Sequence, residues 1–208
     1  MTEASASLAS WHPRGDAAAV ADKIADVVAR LGLKRIAVPG GSTPTRIFAM
    51  LAQRGLDWHG TTLVLTDDRQ VPVDHPASNM GSLKASMGET GATLVGLESG
   101  APVAPFDLVW LGMGTDGHVA SLFPTMAAEN VLEPTVISTL PDPLPPEAPF
   151  ARLSLNIPAL VACDELILVV TGQIKKDVLE RALAGTIDVP VARLLRAARC
   201  PVTIYWSE

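Results

Sequence analysis

Short apolar runs alternate with helix-like patterns along this chain, and a glycine follows several of the runs within two residues. Residues 35–38, 108–111 and 165–171 are three such runs. The last is nearly continuous in apolar residues, as expected of a parallel strand that is buried on both faces. Strands that alternate with helices build a parallel sheet covered by helices. The sequence therefore predicts an α/β protein of three-layer α/β/α architecture with a mainly parallel, doubly wound (Rossmann-like) sheet.

Capping residues and apolar spacing locate the helices. Asp16 can cap a first helix whose apolar positions recur as far as Leu31, with Gly32 as its stop. Thr43 can cap a second helix, with Pro44 in its first turn, where no amide hydrogen is needed. The remaining predicted elements are strands at 61–66, 151–155 and 201–206 and helices at 78–87, 175–184 and 191–198.

Composition and charge restrict the class of protein. The 208 residues, 48% of them apolar, suit one domain over residues 1–208. The net charge of −6 argues against nucleic acid or an anionic membrane as the main partner, so an anionic ligand needs a local basic pocket. The stretch 141–149 carries five prolines and predicts an irregular surface loop.

Cysteine usage and the chain's N-terminus indicate the compartment. Cys163 and Cys200 are far apart in the sequence and lack metal-ligand spacing, which favours a reducing compartment. No apolar run approaches the ~18 residues of a membrane span. The first residues lack the basic-then-apolar order of a signal peptide. We therefore expect a cytoplasmic protein without a membrane segment.

The stretch after the run at 108–111 carries the residue best suited to proton transfer. Three glycines there allow a sharp turn and close approach of a ligand, and His118 follows them with Asp116 two residues before it. Histidine accepts and returns protons near neutral pH, and α/β sheets bind ligands at the carboxyl ends of their strands. His118 is therefore a candidate general base; the alternative is a solvated histidine in a glycine-rich turn.

A glycine turn after the run at 35–38 is a candidate phosphate site. Gly40, Gly41, Ser42 and Thr43 join a strand to a helix start, where free amides, hydroxyls and the helix dipole favour an anion. The turn has neither the lysine of a Walker loop nor the spacing of a dinucleotide fingerprint. A tight turn that binds nothing is the alternative.

Cationic side chains follow two other strands. Arg69 can clamp a phosphate bidentately, while the neighbouring Asp67 and Asp68 fix its aim or contact sugar hydroxyls. Lys175 lies at a helix start just after the run at 165–171. Both cations could instead be ordinary surface charges.

Five motifs occur in the order found in one known enzyme family. They are Gly112-Met-Gly-Thr-Asp-Gly-His118 with Ala120-Ser-Leu-Phe-Pro124, Pro39-Gly-Gly-Ser-Thr-Pro44, Asp67-Asp-Arg-Gln-Val-Pro72 with Ser78-Asn79, Arg152-Leu-Ser-Leu, and Gly172-Gln-Ile-Lys175. Together they resemble the 6-phosphogluconolactonases, which share a fold with the glucosamine-6-phosphate deaminases. The resemblance implies the same three-layer architecture. It also implies metal-free hydrolysis of 6-phospho-D-glucono-1,5-lactone to 6-phosphogluconate, the second step of the oxidative pentose phosphate pathway.

The same resemblance implies roles for individual residues. His118 would take a proton from the attacking water and return it to the ring oxygen, and Asp116 would orient the pocket or hold a sugar hydroxyl. The family usually has Asp-Glu-Arg where this chain has Asp68 in the middle, so that carboxylate is one methylene shorter. The residues expected to bind substrate are Gly40, Gly41, Ser42, Thr43, Asp67, Arg69, Arg152 and Lys175.

Two alternatives differ from the lactonase in what they require. A deaminase-like sugar-phosphate isomerase would need an acidic residue five positions past the histidine, where this chain has Phe123. A non-catalytic sugar-phosphate sensor would need a DNA-binding segment, and only about fifteen residues, without a basic cluster, precede the first helix. We therefore expect a phosphosugar lactone as ligand, no nucleic acid or membrane partner, and a monomer or small homo-oligomer. The His, Cys and acidic residues do not occur in pairs with the spacing of metal ligands, so we expect no bound metal ion. We also expect no cofactor.

Overall fold

The computed structural model describes residues 8–126, 131–144 and 149–208. Helices and strands alternate along most of the chain, as the sequence predicts. The helices are α1 (Ala17–Val28), α2 (Ser42–Ala52), α3 (Asn79–Met87), α4 (Ile157–Val161), α5 (Gln173–Leu183) and α6 (Pro190–Ala197). The strands are β1 (Ala9–Trp11), β2 (Lys34–Val38), β3 (Thr61–Leu65), β4 (Asp67–Arg69), β5 (Thr93–Val95), β6 (Phe106–Gly112), β7 (Val136–Thr139), β8 (Arg152–Leu155), β9 (Cys163–Thr171) and β10 (Val202–Ser207).

Seven of the described strands form one sheet in the order β1-β10-β9-β6-β2-β3-β5, and all neighbouring pairs are parallel. From β2 the chain moves outward to β3 and β5, whereas from β6 it moves the other way to β9 and β10. The winding therefore reverses between β2 and β6. Sheets of this kind bind ligands at the carboxyl ends of the strands beside such a reversal. The predicted doubly wound sheet is confirmed, and its reversal lies beside the predicted histidine and glycine turns.

Helices cover both faces of this sheet and complete the predicted three layers. One apolar core joins α1, α2 and α3 to the sheet and includes Ile24 and Leu83. The other core joins α5 and α6 to the opposite face and includes Leu179. Successive residues of β9 alternate between the cores, with Ile167 in the first and Leu168 in the second. The strand predicted to be buried on both faces is therefore confirmed.

A separate antiparallel sheet, in the order β4-β8-β7, lies beside the main one. The sequence predicts the strand at 151–155 but neither its partners nor a second sheet. The strand β4 is polar and three residues long, so no apolar alternation reveals it. Its register places Asp67 opposite Ser154 and Arg69 opposite Arg152, so this sheet brings two predicted site segments together.

The two ends of α1 test the predicted boundaries. Asp16 caps the helix as predicted, because its carboxylate accepts the Ala19 amide hydrogen at 2.8 Å. The predicted extension past Val28 is wrong. Leu31 is 99% exposed, and Gly32, with φ of +90°, lies in the turn that follows the helix. The apolar spacing continues beyond the helix end, so it does not reveal where the helix stops.

The two cysteines, far apart in the sequence, are neighbours in the fold because they lie near the starts of β9 and β10. Their Sγ atoms are 3.4 Å apart, and both are free thiols. Burial raises the pKa of the Cys163 thiol, and Cys200 raises it further. A thiol held protonated in this way is a poor nucleophile.

Two sequence predictions concern residues that the structure does not describe, in whole or in part. The proline-rich loop at 141–149 includes residues 145–148, and the predicted lack of a signal peptide concerns residues 1–7; both ranges lie outside the described residues. Among the helices that are described, none has the length and apolar character needed to cross a membrane.

Candidate active site

Segments from both sheets surround a cavity of about 310 Å³ at the carboxyl edge of the main sheet. The turn after β2, the loop after β6 and the start of α5 after β9 reach it from the main sheet, and β4 with β8 borders it from the small one. Of the sequence-predicted residues, those lining it are Gly40, Gly41, Ser42, Thr43, Asp67, Arg69, His118, Arg152 and Lys175. Asp116 is absent from the lining and contacts the histidine instead.

Two helices begin at this cavity without a side-chain cap. Gly41 is the N-cap of α2 and Gly172 that of α5, with φ of +104° and +91°. This conformation favours glycine. The predicted Thr43 cap is therefore wrong, because the backbone at Gly41 already starts the helix at Ser42. With no side-chain acceptor at either N-cap, the first-turn amides and the helix dipoles remain available to an anion.

The loop after β6 holds His118 in a defined orientation. Its Nδ1 lies 2.7 Å from Oδ1 of Asp116, and the same oxygen accepts the His118 backbone N–H at 3.1 Å. A carboxylate partner places the ring proton on Nδ1 and leaves the Nε2 lone pair to accept a proton. This arrangement supports an orienting role for Asp116 rather than a contact with the sugar.

The same Asp-x-His geometry occurs a second time, away from the cavity. His59 Nδ1 lies 2.9 Å from Oδ1 of Asp57, and the His59 side chain is 84% exposed. The pair does not border the cavity. An aspartate–histidine pair (a dyad) with this geometry therefore does not by itself indicate an active site. What distinguishes the dyad of Asp116 and His118 is the set of cations that lines the same cavity as His118.

Glycine at position 114 lets the dyad lie against the backbone. A Cβ there would sit 2.2 Å from Cε1 and Nδ1 of His118 and 2.6 Å from Oδ1 of Asp116. Gly117, with φ of +83°, turns the chain back, and its carbonyl accepts the Val191 amide hydrogen at 3.0 Å. The start of α6 thus braces the loop. The sequence predicts that these glycines allow close approach of a ligand. At position 114, the group that approaches closely is the imidazole of His118.

Arg69 and Arg152 lie directly opposite each other in the antiparallel pair β4–β8. Side chains so placed share a face, and like charges there repel. Burial lowers the pKa of the Arg152 guanidinium, the charge of Arg69 lowers it further, and Asp67 opposes the effect. Because both arginines border the cavity, an anion bound between them would relieve this repulsion.

A hydrogen bond joins the histidine loop to β4. Ser121 is fully buried, and its Oγ donates to Oδ2 of Asp67 at 2.6 Å. The other carboxylate oxygen accepts from Thr66 Oγ1 at 3.3 Å. The bond fixes a carboxylate that borders the cavity and can accept a hydrogen bond from a sugar hydroxyl. The sequence shows only that Ser121 lacks the Gly-x-Ser-x-Gly context of a serine nucleophile.

Phe123 lies beside both the ring of His118 and the guanidinium of Arg152. Its ring centroid is 5.1 Å from that of His118, and Cζ of Arg152 lies 5.6 Å from it. The ring is buried. A deaminase would need an acidic residue at this position. Phe123 lies beside the dyad but has no proton to transfer.

Asn79 lines the cavity, but the sequence analysis predicts no role for it, although it belongs to the motif that combines residues 67–72 with Ser78-Asn79. It is 4% exposed and accepts a hydrogen bond from Arg69 at 2.8 Å. A single sequence does not distinguish such a buried amide from a solvated one in the first turn of a helix. Within the described ranges, no group of three or more His, Cys, Asp or Glu residues could hold a metal ion.

The fold and the site define a class: a doubly wound α/β protein in which an aspartate–histidine pair and several cationic side chains meet at one cavity. The family model for glucosamine-6-phosphate isomerases and 6-phosphogluconolactonase matches residues 14–95 and 89–206. The chain belongs to this family.

Individual relatives agree with this assignment. The chain is 34% identical to a 6-phosphogluconolactonase of Rhizobium meliloti over 222 aligned positions, covering 94% of this chain and 96% of that protein. A crystal structure of a 6-phosphogluconolactonase from Shewanella baltica is similar with a TM-score of 0.77 and 26% identity, covering 98% and 99% of the two chains. A monomeric glucosamine-6-phosphate deaminase has the same fold, with a TM-score of 0.77, 16% identity and coverage of 95% and 96%. The fold alone therefore does not separate lactonase from deaminase.

Proposed function

We propose that this chain hydrolyses 6-phospho-D-glucono-1,5-lactone to 6-phosphogluconate, the second step of the oxidative pentose phosphate pathway. One observation carries the proposal: the imidazole held by Asp116 shares a single cavity with Arg69, Arg152 and Lys175. A phosphorylated lactone requires a base for water at one end and cations for phosphate at the other. The free thiols of the described chain suit a reducing compartment such as the cytoplasm.

In this reaction Nε2 of His118 accepts a proton as the water oxygen attacks the lactone carbonyl carbon. The charge that develops on the carbonyl oxygen is stabilised by backbone amides of the glycine turns. The bond between this carbon and the ring oxygen then breaks, and the imidazolium returns the proton to the ring oxygen. Asp116 stabilises the imidazolium between these steps and keeps Nε2 directed away from itself.

The phosphate end is bound by groups that take no part in proton transfer. Arg69 and Lys175 supply charge, and the uncapped first turns of α2 and α5 supply amide donors. Arg152 lies opposite Arg69 and beside the ring of Phe123, which in turn lies beside the ring of His118. Phe123 disfavours the deaminase reaction, which needs a proton-transfer group at its position.

The test is a coupled assay for release of 6-phosphogluconate from freshly prepared lactone. Because the lactone hydrolyses spontaneously, the rate is measured against a control without enzyme. We expect a large acceleration by the chain and no ammonia release from glucosamine 6-phosphate. A lactone rate equal to the control, or ammonia release, would contradict the proposal.

A further inference from the structure

We propose that Asn79 is a positioning residue that aims Arg69 at the phosphate end of the ligand. The inference rests on the proposed function, since it names a cavity residue that holds one of the cationic side chains of that site. Asn79 does not exchange protons with the substrate. It acts through the guanidinium that it holds and through the glycine turn against which it packs.

The side-chain amide of Asn79 joins two parts of β4. Its Nδ2 donates to the carbonyl of Asp67 at 2.9 Å, and its Oδ1 accepts from Nη1 of Arg69 at 2.8 Å. A guanidinium only donates and a carbonyl only accepts, so a single orientation of the amide satisfies both partners. Among residues of this size, asparagine has the neutral side chain that carries both an N–H donor group and a carbonyl acceptor.

The hydrogen bonds of Arg69 leave part of the guanidinium for a ligand. Nη1 donates both to Asn79 and to the carbonyl of Ala77, the latter at 3.0 Å. Nη2 makes no hydrogen bond to any residue that the structure describes, and the side chain borders the cavity. Asn79 therefore fixes one arm of the guanidinium and leaves the other for an anion.

The backbone of Asn79 is held as firmly as its side chain. Oδ1 of Asp68 accepts the amide hydrogens of Asn79 at 2.7 Å and of Arg69 at 2.8 Å, and Oδ2 accepts that of Met80 at 3.1 Å. Asp68 thus binds the start of α3 and is absent from the cavity lining. Of the two roles predicted for it, this geometry supports fixing the aim of Arg69 and gives no support to a contact with sugar.

Asn79 also occupies the space beside the glycine turn that precedes α2. A Cβ on Gly40 would lie 2.0 Å from Cγ and Oδ1 of Asn79. The amide therefore contacts β4 and the turn after β2 at once. Loss of Asn79 would release Arg69 and the turn together, and both belong to the anion-binding part of the cavity.

A purely structural asparagine would contribute to the stability of α3 without changing anion affinity, so the test separates these quantities. Inorganic phosphate is titrated into the full chain by calorimetry at constant ionic strength, and Tm is recorded for each variant. The variants are Asn79→Ala, Asn79→Asp, Arg69→Ala, the Asn79→Ala/Arg69→Ala pair, and Ser78→Ala. Ser78 is the matched control because its Oγ caps the same helix, accepting the Gly81 amide hydrogen at 3.0 Å, and it does not border the cavity.

We expect Asn79→Ala to weaken phosphate binding about tenfold, corresponding to ~1.4 kcal/mol. Asn79→Asp should weaken it further, because a carboxylate against Nη1 neutralises the charge that Arg69 offers. In the Arg69→Ala background, Asn79→Ala should have little further effect, as expected of two residues acting as one unit. Ser78→Ala should lower Tm and leave the phosphate Kd unchanged.

Three results would overturn the inference: absence of phosphate binding by the unmodified chain, Asn79 variants with the original Kd, or full additivity in the double variant. The readout needs no lactone, so the two proposals fail separately. A chain without lactonase activity that shows the expected Kd pattern would refute the proposed reaction alone. An active lactonase whose Asn79 variants keep the original Kd would refute the positioning role alone.

Discussion

Replacing Gly114 with alanine tests whether the imidazole must lie where the structure places it. The new Cβ would be 2.2 Å from two ring atoms of His118, and ordinary contact begins at 3.4 Å, so the ring must move by about 1.2 Å. Oδ1 of Asp116, at 2.6 Å, must move as well, so the dyad cannot shift without strain. A misplacement of about 1 Å in a catalytic group costs roughly 10²-fold in rate. We therefore expect kcat to fall about 10²-fold, with KM nearly unchanged because the phosphate end is bound elsewhere.

The assay is steady-state lactone hydrolysis, corrected for the spontaneous rate, with Tm measured on the same samples. Gly96→Ala is the control, because its Cβ would meet only Cε of Met80, at 3.5 Å, and Gly96 is outside the cavity lining. It should retain full turnover. Wild-type kcat in a folded Gly114→Ala variant would show that the position of the imidazole does not govern the reaction.

Further predictions concern the phosphate end and the stability of the fold. Arg69→Ala and Lys175→Ala should each raise KM roughly ten- to hundredfold with smaller changes in kcat; an unchanged KM in both would place the phosphate elsewhere. Leu168→Ala should lower the free energy of unfolding by ~2–5 kcal/mol in urea titrations, because the side chain is buried on an inner strand of the main sheet. A loss well under 1 kcal/mol would contradict this packing. The hydrogen bond from the Ala19 amide holds the pKa of Asp16 below its usual value. The ionised carboxylate therefore stabilises the folded state above a pH of about 3.9, and this stabilisation is lost as the pH falls through the lowered pKa. Asp16→Ala should therefore lower the urea midpoint at pH 7 and have a smaller effect in acid, and an equal effect at both would refute the capping role.

The sequence predicts the parts of the site that follow parallel strands. Carboxyl ends of parallel strands share one edge of a sheet, so the glycine turn at Gly41, the loop of His118 and the start of α5 at Lys175 could be expected to converge. Local chemistry suffices for these predictions, because each segment shows an apolar run, a glycine and a polar group in order. The Asp16 cap could be predicted for the same reason, because the carboxylate contacts an amide only three residues further along the chain.

What the sequence does not predict depends on contacts between distant segments. The pairing of Arg69 with Arg152 arises from the register of two short strands, 83 positions apart, whose partners no local pattern identifies. The contact of Asp116 with His118 depends on side-chain rotamers, which spacing alone does not determine. Helix α1 ends at Val28, with Ala29 as its C-cap, although the apolar pattern continues to Leu31, so that pattern does not locate the helix end.

The central claim is that the imidazole of His118 is the base of this cavity, and its replacement tests that claim most directly. The variants are His118→Ala and, as a matched control, His59→Ala, which removes a histidine with the same carboxylate contact outside the cavity. We predict that kcat for the lactone falls by at least about 10²-fold in His118→Ala, with unchanged Tm and phosphate Kd, and is unaltered in His59→Ala. Near-full turnover by a folded His118→Ala variant would contradict the account.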